Sequence, residues 1–575
     1  MSVVKLRQSL LLFVLLICHV SSIAQVTTKG KDFWLGFTEN DFLPGHSLEV
    51  WINSEERAMV TIRNPLGNFT NIKVVEPGRN SLVILPSDLM AMTEGKNNFG
   101  IRITSDVDVS VYALNKLFLS MDATTVLPTE ALDTEYYVMA HVKSDTLSND
   151  AGEANMLIVA TEDNTEIIVV PSADTFGGWL AGETQNITLN AGQAYQIKSL
   201  EDLTGTYVRA IVGADRNCKK IAVFSGNKST NVGACGPTKD HLMEQMPPIS
   251  SWGRDFLYVP YQTREGGDLI KIMASEDGTR IQVDGVGTIE LDAGDFYLNE
   301  ALEGTTSISA DKPIAVGQFS RSQGCDENDS DPFMIMLGAI DQGINAVNFN
   351  AIPIFRTATH YLTLVTSSNN LSNIVFDGID ITDQFTVQGN AAYANLIFQP
   401  GNHRVTAENG VLPYVYVYAQ EESLGYLAGA TLGNADLIEI SESLAIETDN
   451  QICVGLPTNF MAEFDVILGE DPVFDTFEWD FGDGTIGLEK DVAHVFDVAG
   501  EYEVMLTASN GRSLCNNSAS VTKTITVREL AINEFVGPLS VCPLVTGIEY
   551  FVDGPQDNTY EWFIEGGTIT SGGNS

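Results

Sequence analysis

Two short stretches hold the residue types that most often do chemistry. One is Phe477–Thr485, FEWDFGDGT, which sets Asp480 and Asp483 among Gly482, Gly484 and Trp479. The other is KDHLMEQ at 239–245, which gathers Asp240, His241 and Glu244. Paired carboxylates in the first admit a metal loop, an acid pair or a turn. An EF-hand loop needs a D-x-D-x-D-G ladder closed by a glutamate, and that spacing is missing. An acid pair needs two carboxylates facing a substrate cleft. In the second, one helical turn would bring His241 and Glu244 to a common face able to hold a cation. The plainer reading is a short capped helix with Asp240 near its start and Leu242, Met243 and Met246 packed down. No H-E-x-x-H, G-x-S-x-G, P-loop or G-x-G-x-x-G segment occurs. No catalytic residue, cofactor or metal is assigned, and weak calcium binding at Asp480 and Asp483 is kept as the alternative.

The elements that position these residues read as strands. Alternating runs such as IRITSDVDVSVYAL (101–114) and YVYVYA (414–419) are broken by turn residues every eight to twelve positions, so an all-β chain is expected. The runs recur in order. IVATEDNTEIIVV (158–170) matches IMASEDGTRIQVD (272–284), each read as a hairpin across an Asp-Asn or Asp-Gly turn. A glycine turn follows at Gly78, Gly192, Gly294 and Gly401. The period of about a hundred residues implies repeated β modules, sandwich or blade in type, at about 30–135, 136–250, 251–350 and 351–430. Long excursions separate them. Those at 227–246 and 321–342 are expected to form the binding surface, with His241, Met243 and Met246 in one and Phe333, Met334 and Met336 in the other. The competing reading is that these apolar residues plug module junctions.

The 575 residues suit about three to five domains. Asp plus Glu number 76 against 31 Lys plus Arg, a formal charge of -45, so nucleic acid is an unsuitable partner. Residues 1–24 read as an export signal: Lys5 and Arg7, an apolar run from Leu10 to Val20, then small Ala24. No later run is long enough to span a bilayer. The mature chain is expected outside the cell, where disulfides form. Cys453, Trp479 and Cys515 have the spacing of an immunoglobulin-like sandwich, so a Cys453–Cys515 bridge is expected.

WDFGDGT followed by HVFDVAGEYEVMLTASN (494–510) resembles the polycystic-kidney-disease (PKD) domain. The resemblance covers 445–528, and a second, incomplete copy is read at 530–575. It implies that the segment is a strand running into a tight hairpin. Trp479 would then be core, Asp480 and Asp483 would brace the turn by bonding backbone N–H groups, and Gly482 and Gly484 would permit positive φ. KGKDFWLGFTEN (29–40), GACGPTKDHLMEQMPPISSWGRDF (233–256) and VGQFSRSQGC (316–325) resemble the IgGFc-binding protein N-terminal domain, over about 30–420 of the 25–440 region. That resemblance implies exported, often bacterial, proteins with a cell-surface or adhesive role, and a Cys218–Cys235 bridge. The partners of Cys325 and Cys542 stay open. The expected function is non-enzymatic binding of a protein or glycan at a surface, with PKD domains as spacers. The alternative is a secreted hydrolase with PKD accessory domains.

Overall fold

A computed structural model describes residues 26–41, 45–142, 152–211, 218–233, 235, 238–325, 331–355, 358–419, 422–432, 445–448, 452–463, 476–509, 518–529, 535–538, 541–552, 564 and 566–570. The expected export signal and Cys515 lie outside the described residues. The described residues contain strands and short 3-10 turns but no α-helix. They fall into two compact units, the first ending by Ile438.

The first unit contains four modules of one design, organised around a long strand. In module one this strand is Ile101–Leu117. Its first half pairs with Lys29–Leu35 and Ala58–Arg63, which make an outer sheet. Its second half pairs with Ser47–Ser54 and Ser120–Val126, which make an inner sheet. Thr306–Phe319 plays the same part in module three and Gly401–Ala419 in module four. In module two the role is divided between Tyr207–Ala210 and Ile221–Thr230.

This pairing corrects the hairpin reading of the repeated Asp-turn segments. Ala154–Ala160 and Thr165–Val170 belong to different sheets. The turn between them is a corner that carries the chain from the inner sheet to the outer one. It needs a left-handed residue, supplied by Asn164 (φ 55°) and, at the matching place in module three, by Gly278 (φ 64°). Ile344–Ala351, which the period assigns to the third repeat, pairs with the long strand of module four.

Burial separates the two kinds of sheet. Outer strands alternate between core and solvent, as in Ala58–Arg63 and Thr279–Val283. Inner strands such as Ala154–Ala160 and Asp268–Ala274 are buried at every residue. A sheet covered on both faces has that signature. The second cover comes from the neighbouring module. The core of module one takes in Leu157, Phe224 and Met243 from module two. That of module two takes in Phe319, Met334 and Met336 from module three. That of module three takes in Tyr414, Tyr416 and Tyr418 from module four. That of module four takes in Trp51, Tyr112 and Met121 from module one. The cycle closes, so the four modules are sandwiches arranged as a ring.

The chain ends of the ring are fastened together. Thr28 N–H donates to Ala430 O at 2.9 Å, and Leu432 N–H donates to Val26 O at 2.8 Å. Ala430 N–H donates in turn to Thr28 Oγ1.

The second unit has a three-stranded sheet facing a five-stranded one, built between Ala445 and Arg528. Trp479 is buried beside Phe460 and Phe481, and its indole N–H donates to Glu489 O. Cys453 is a free thiol. Its two-residue strand pairs with Val527–Arg528 at the edge of the five-stranded sheet, with two strands between it and the strand of Trp479. The expected Cys453–Cys515 bridge is therefore corrected. In the region where a second PKD-like copy is expected, the described strands are Phe535–Val536 and Phe551–Val552, which pair with each other.

Thr28→Pro removes a donor that closes the ring and should lower stability by about 2–3 kcal/mol. Urea denaturation monitored by tryptophan fluorescence measures it.

Candidate functional site

Each module ends in an inner strand: Ser120–Val126, Asp240–Gln245, Met334–Leu337 and Glu422–Leu427. The first packs on the second and fourth, and the third packs on the same two. They line the axis of the ring. No main-chain ladder joins any of these four strands to another among the described residues. Side chains bridge them instead, and several are carboxyls. Asp122 Oδ2 accepts from Met243 N at 3.1 Å and from Met334 N at 3.3 Å, touching three modules at once. Asp240 Oδ1 accepts from Met121 N, and Glu244 accepts from Thr124 Oγ1 and from Met336 N. Asp240 meets Met121 and Asp122 meets Met334 near the strand starts, Asp331 N donates to Ser423 Oγ near the start of the fourth, and Thr125 Oγ1 donates to Leu427 O near the ends, so all four run the same way along the axis.

Burial governs the charge of this cluster. It raises the pKa of Asp122 well above the usual carboxylate range, with the nearby Glu244 adding to the effect. It also raises Asp240, beside Asp331 and Asp122, and it pushes Glu244 up to about 8. His241 is held neutral by the same cause, its pKa lowered to about 4. Its Nδ1 faces Lys228 O and its Nε2 faces the side-chain amide of Asn115, each at 3.2 Å.

The Asp240–Gln245 segment is thus a buried strand, which corrects the capped-helix reading. Every second residue of this strand enters the neighbouring module, a demand that helical periodicity cannot meet. Met243, Met246, Phe333, Met334 and Met336 are buried as well, which corrects their place at exposed loop tips. They fill the module cores and junctions.

The excursions do meet, at the end of the axis where the inner strands begin. Cys235 is bridged to Cys325, which ties modules two and three and corrects the expected Cys218–Cys235 pair. Cys218 is disulfide-bonded, but not to Cys235. Val232 N donates to Ser322 Oγ at 3.0 Å, and Ser322 N donates to Val232 O at 2.9 Å. The other junctions on this end are fastened differently. Between modules one and two, Lys198 and Lys228 both pair with Glu39 and Glu153. Between three and four, Thr263 Oγ1 lies 2.7 Å from Tyr418 Oη. Between four and one, Phe355 meets Phe118 edge to face at 6.1 Å. Phe118 is 55% exposed and Phe355 78%. Neither phenylalanine is marked by its sequence context. The axial acids do leave a trace, since Asp122, Asp240, Asp331 and Glu422 each stand at or near the start of an inner strand.

In the second unit Asp480 Oδ1 accepts from Gly482 N at 2.9 Å, and Asp483 Oδ1 accepts from Thr485 N at 3.0 Å. Gly482 and Gly484 have φ of 74° and 89°. His494 lies 2.7 Å from Asp483 Oδ2. Partial burial opposes the Asp483 carboxylate, but bonds from Thr485 and His494 outweigh it and hold its pKa below the usual value. Among the described residues no group of three or more His, Cys, Asp or Glu is placed to hold a metal ion.

A closed ring of β-sandwich modules with its loops gathered at one end, followed by a separate β-sandwich unit, defines a modular all-β protein. A family model described as IgGFc binding protein matches residues 122–418, and one described as PKD domain matches 442–527. The chain belongs to the IgGFc binding protein family. The human IgGFc-binding protein is 24% identical over 400 residues, which is 68% of this chain and 7% of that protein. This relative is an animal protein, and the bacterial source expected from the resemblance is not carried forward. Among solved structures, chicken CNTN1 FN1–FN3 domains align at 9% identity and a TM-score of 0.13, covering 46% of this chain and 98% of theirs. Salmonella alpha-2-macroglobulin reacted with methylamine aligns at 12% and 0.12, covering 87% and 41%. Likeness at that level carries no argument. No helix among the described residues is long and apolar enough to cross a membrane, which leaves β-barrels unaddressed.

Glu244 makes stability pH-dependent. Its folded pKa, about 8, exceeds its ordinary 4.5, so between these values the folded chain holds a proton that the unfolded chain has lost. Its contribution is complete below pH 4.5 and is lost as pH rises through 8. His141 and His241, lowered to about 3 and 4, act oppositely but only below about 6.5. From pH 6.5 to 8 stability should therefore fall as pH rises, with Asp122 and Asp240 acting in the same direction, and Glu244→Gln should make the slope shallower by roughly 1 kcal/mol per unit. Denaturant midpoints across the range check it.

Asp483→Asn should destabilise the second unit by about 1–2 kcal/mol. The loss should be the same with calcium or with chelator in a thermal melt. A calcium-dependent shift that the substitution abolishes would assign the loop to metal binding.

Proposed function

We propose that the chain is an exported, non-enzymatic binding protein that engages a protein partner at the end of the ring carrying the inner-strand loops, with the PKD unit as a spacer. The observation that carries this reading is the convergence of loops from all four modules on one end, where Phe118 and Phe355 stand exposed against each other. Exposed aromatics on a rigid base are the usual anchors of protein interfaces. Family membership supports it, since the human relative's name describes IgG Fc binding. Fc is accordingly the first probe to try and is not assigned as the ligand. A glycan is the second class of partner for the same surface.

The hydrolase alternative needs carboxylates in an open cleft. The ones gathered here, Asp122, Asp240 and Glu244, are buried and bonded to main-chain N–H groups of adjoining modules. That favours binding over hydrolysis.

Phe118→Ser with Phe355→Ser should weaken capture of purified Fc, or of glycans on an array, by at least about tenfold while leaving the melting temperature within a degree or two. Unchanged capture by the double variant would move the binding site away from this end.

A further inference from the structure

Lys271 lies on an inner strand of module three and is fully buried. The repeat makes it an exception. IMASEDGT (272–279) matches IVATEDNT (158–165), and the residue before the match is Lys271 in module three but buried Leu157 in module two. Leu157 enters the core of module one, the preceding module, and Lys271 likewise reaches back into module two. An apolar side chain therefore suffices at this place in the fold. Compared with apolar packing, a buried ion pair adds little or nothing to stability. We propose that Lys271 and Asp202 join through an amide bond, a covalent tie between modules two and three that the chain forms within itself on folding.

The fold brings the two groups into contact before any reaction. Lys271 Nζ donates to Asp202 Oδ2, to Ala140 O at 2.7 Å and to Thr204 Oγ1 at 3.0 Å, all three in module two. The rings of Phe296 and Phe319 flank it, with centroids 4.9 and 5.8 Å away. Asp202 Oδ1 accepts from Thr204 N at 3.0 Å, so one oxygen anchors the carboxyl while the other meets the amine. Groups held in this way react without the cost of an encounter. Burial lowers the pKa of Lys271, with Asp202 opposing that effect. Burial also works against the Asp202 carboxylate, but the charge of Lys271 outweighs it and keeps that pKa below the usual value. The starting state is therefore an ammonium and a carboxylate.

The reaction needs nothing from outside. One proton passes along the existing bond from Nζ to Oδ2, which gives an amine and a carboxylic acid. The lone pair of Nζ then attacks Cγ of Asp202 and the N–C bond forms. Negative charge moves onto Oδ1, where the Thr204 N–H already points. A second proton passes from Nζ to Oδ2, the Cγ–Oδ2 bond breaks, and Oδ2 leaves as water. Asp202 is 27% exposed, so that water has a route to solvent. The product is a neutral amide, and both charges have left the junction. This tie is separate from the Phe118–Phe355 surface, and it stands or falls independently of the binding reading made there.

Mass spectrometry of the full chain tests it. With its disulfides reduced, the purified protein should be lighter than its mature sequence by one water. A proteolytic digest should yield one branched peptide in which tandem fragmentation joins Asp202 to Lys271. Lys271→Met and Asp202→Ala should each carry the full mass and melt at a lower temperature than the unaltered chain. The measurement on the unaltered chain stands even where a variant fails to fold. Full mass in the unaltered protein, a water loss that fragmentation places at another residue, or Lys271 recovered wholly in an unbranched peptide would each overturn the proposal.

Discussion

The fold depends on the exchange of side chains between neighbouring inner sheets. A module has one sheet that faces solvent and one that cannot, because the inner strands carry apolar side chains on both faces. An isolated module would leave one of those faces wet. Each module solves this by accepting strands from the next, and the fourth accepts from the first. A linear stack of such modules would leave one apolar face open at each end. Closure removes both, and the contact of Val26 and Thr28 with Ala430 and Leu432 lets a chain with two ends make a ring with none.

Closure sets the polarity of the axis. Four strands that run the same way along a common axis cannot pair as antiparallel ribbons, and each is already hydrogen-bonded to its own long strand. Their second row of N–H groups still needs acceptors in a place without bulk water. Short carboxyl and hydroxyl side chains meet that need. Asp122 reaches two neighbours, and Thr124 both donates to Glu244 and accepts from Gln245 N. A carboxyl in such a place is forced toward its neutral form by burial. The acids of the axis are a consequence of ring geometry, and their chemistry is that of structural acceptors.

Much of this was legible in the sequence. Alternation in the outer strands, the turns at Gly78, Gly192 and Gly294, and the recurring Asp turns disclose repeated β modules, because each answers to local backbone physics. What failed depended on contacts distant in sequence. The segments around Asp163 and Asp277 look like hairpins, yet in neither do the two arms pair with each other; each arm pairs with other strands of its module. Met243 and Met334 sit in long excursions and look like exposed tips, yet each enters a core supplied by the preceding module. The cysteines misled for the same reason. Cys235 is closer in sequence to Cys218, but the ring brings it to Cys325. Cys453 has immunoglobulin spacing from Trp479 and still falls on an edge strand.

The two ends of the axis differ because the chain enters and leaves the inner strands differently. At their starts it arrives through the hairpin from the long strand, and the loops there vary in length from two residues at Phe118–Leu119 to the stretch between Phe319 and Met334. Such loops can change without disturbing the sheets, so this end is free to carry recognition. At their finishes the chain passes directly into the next module's first strand, through the short turns at Thr129–Ala131, Ile249–Ser251 and Ile340–Gln342. Those turns repeat in length and position because they set the rotation from one module to the next. An end so constrained cannot vary to suit a surface partner. It can border a space whose dimensions are fixed by the ring itself, and all four modules contribute residues to the small cavity found there.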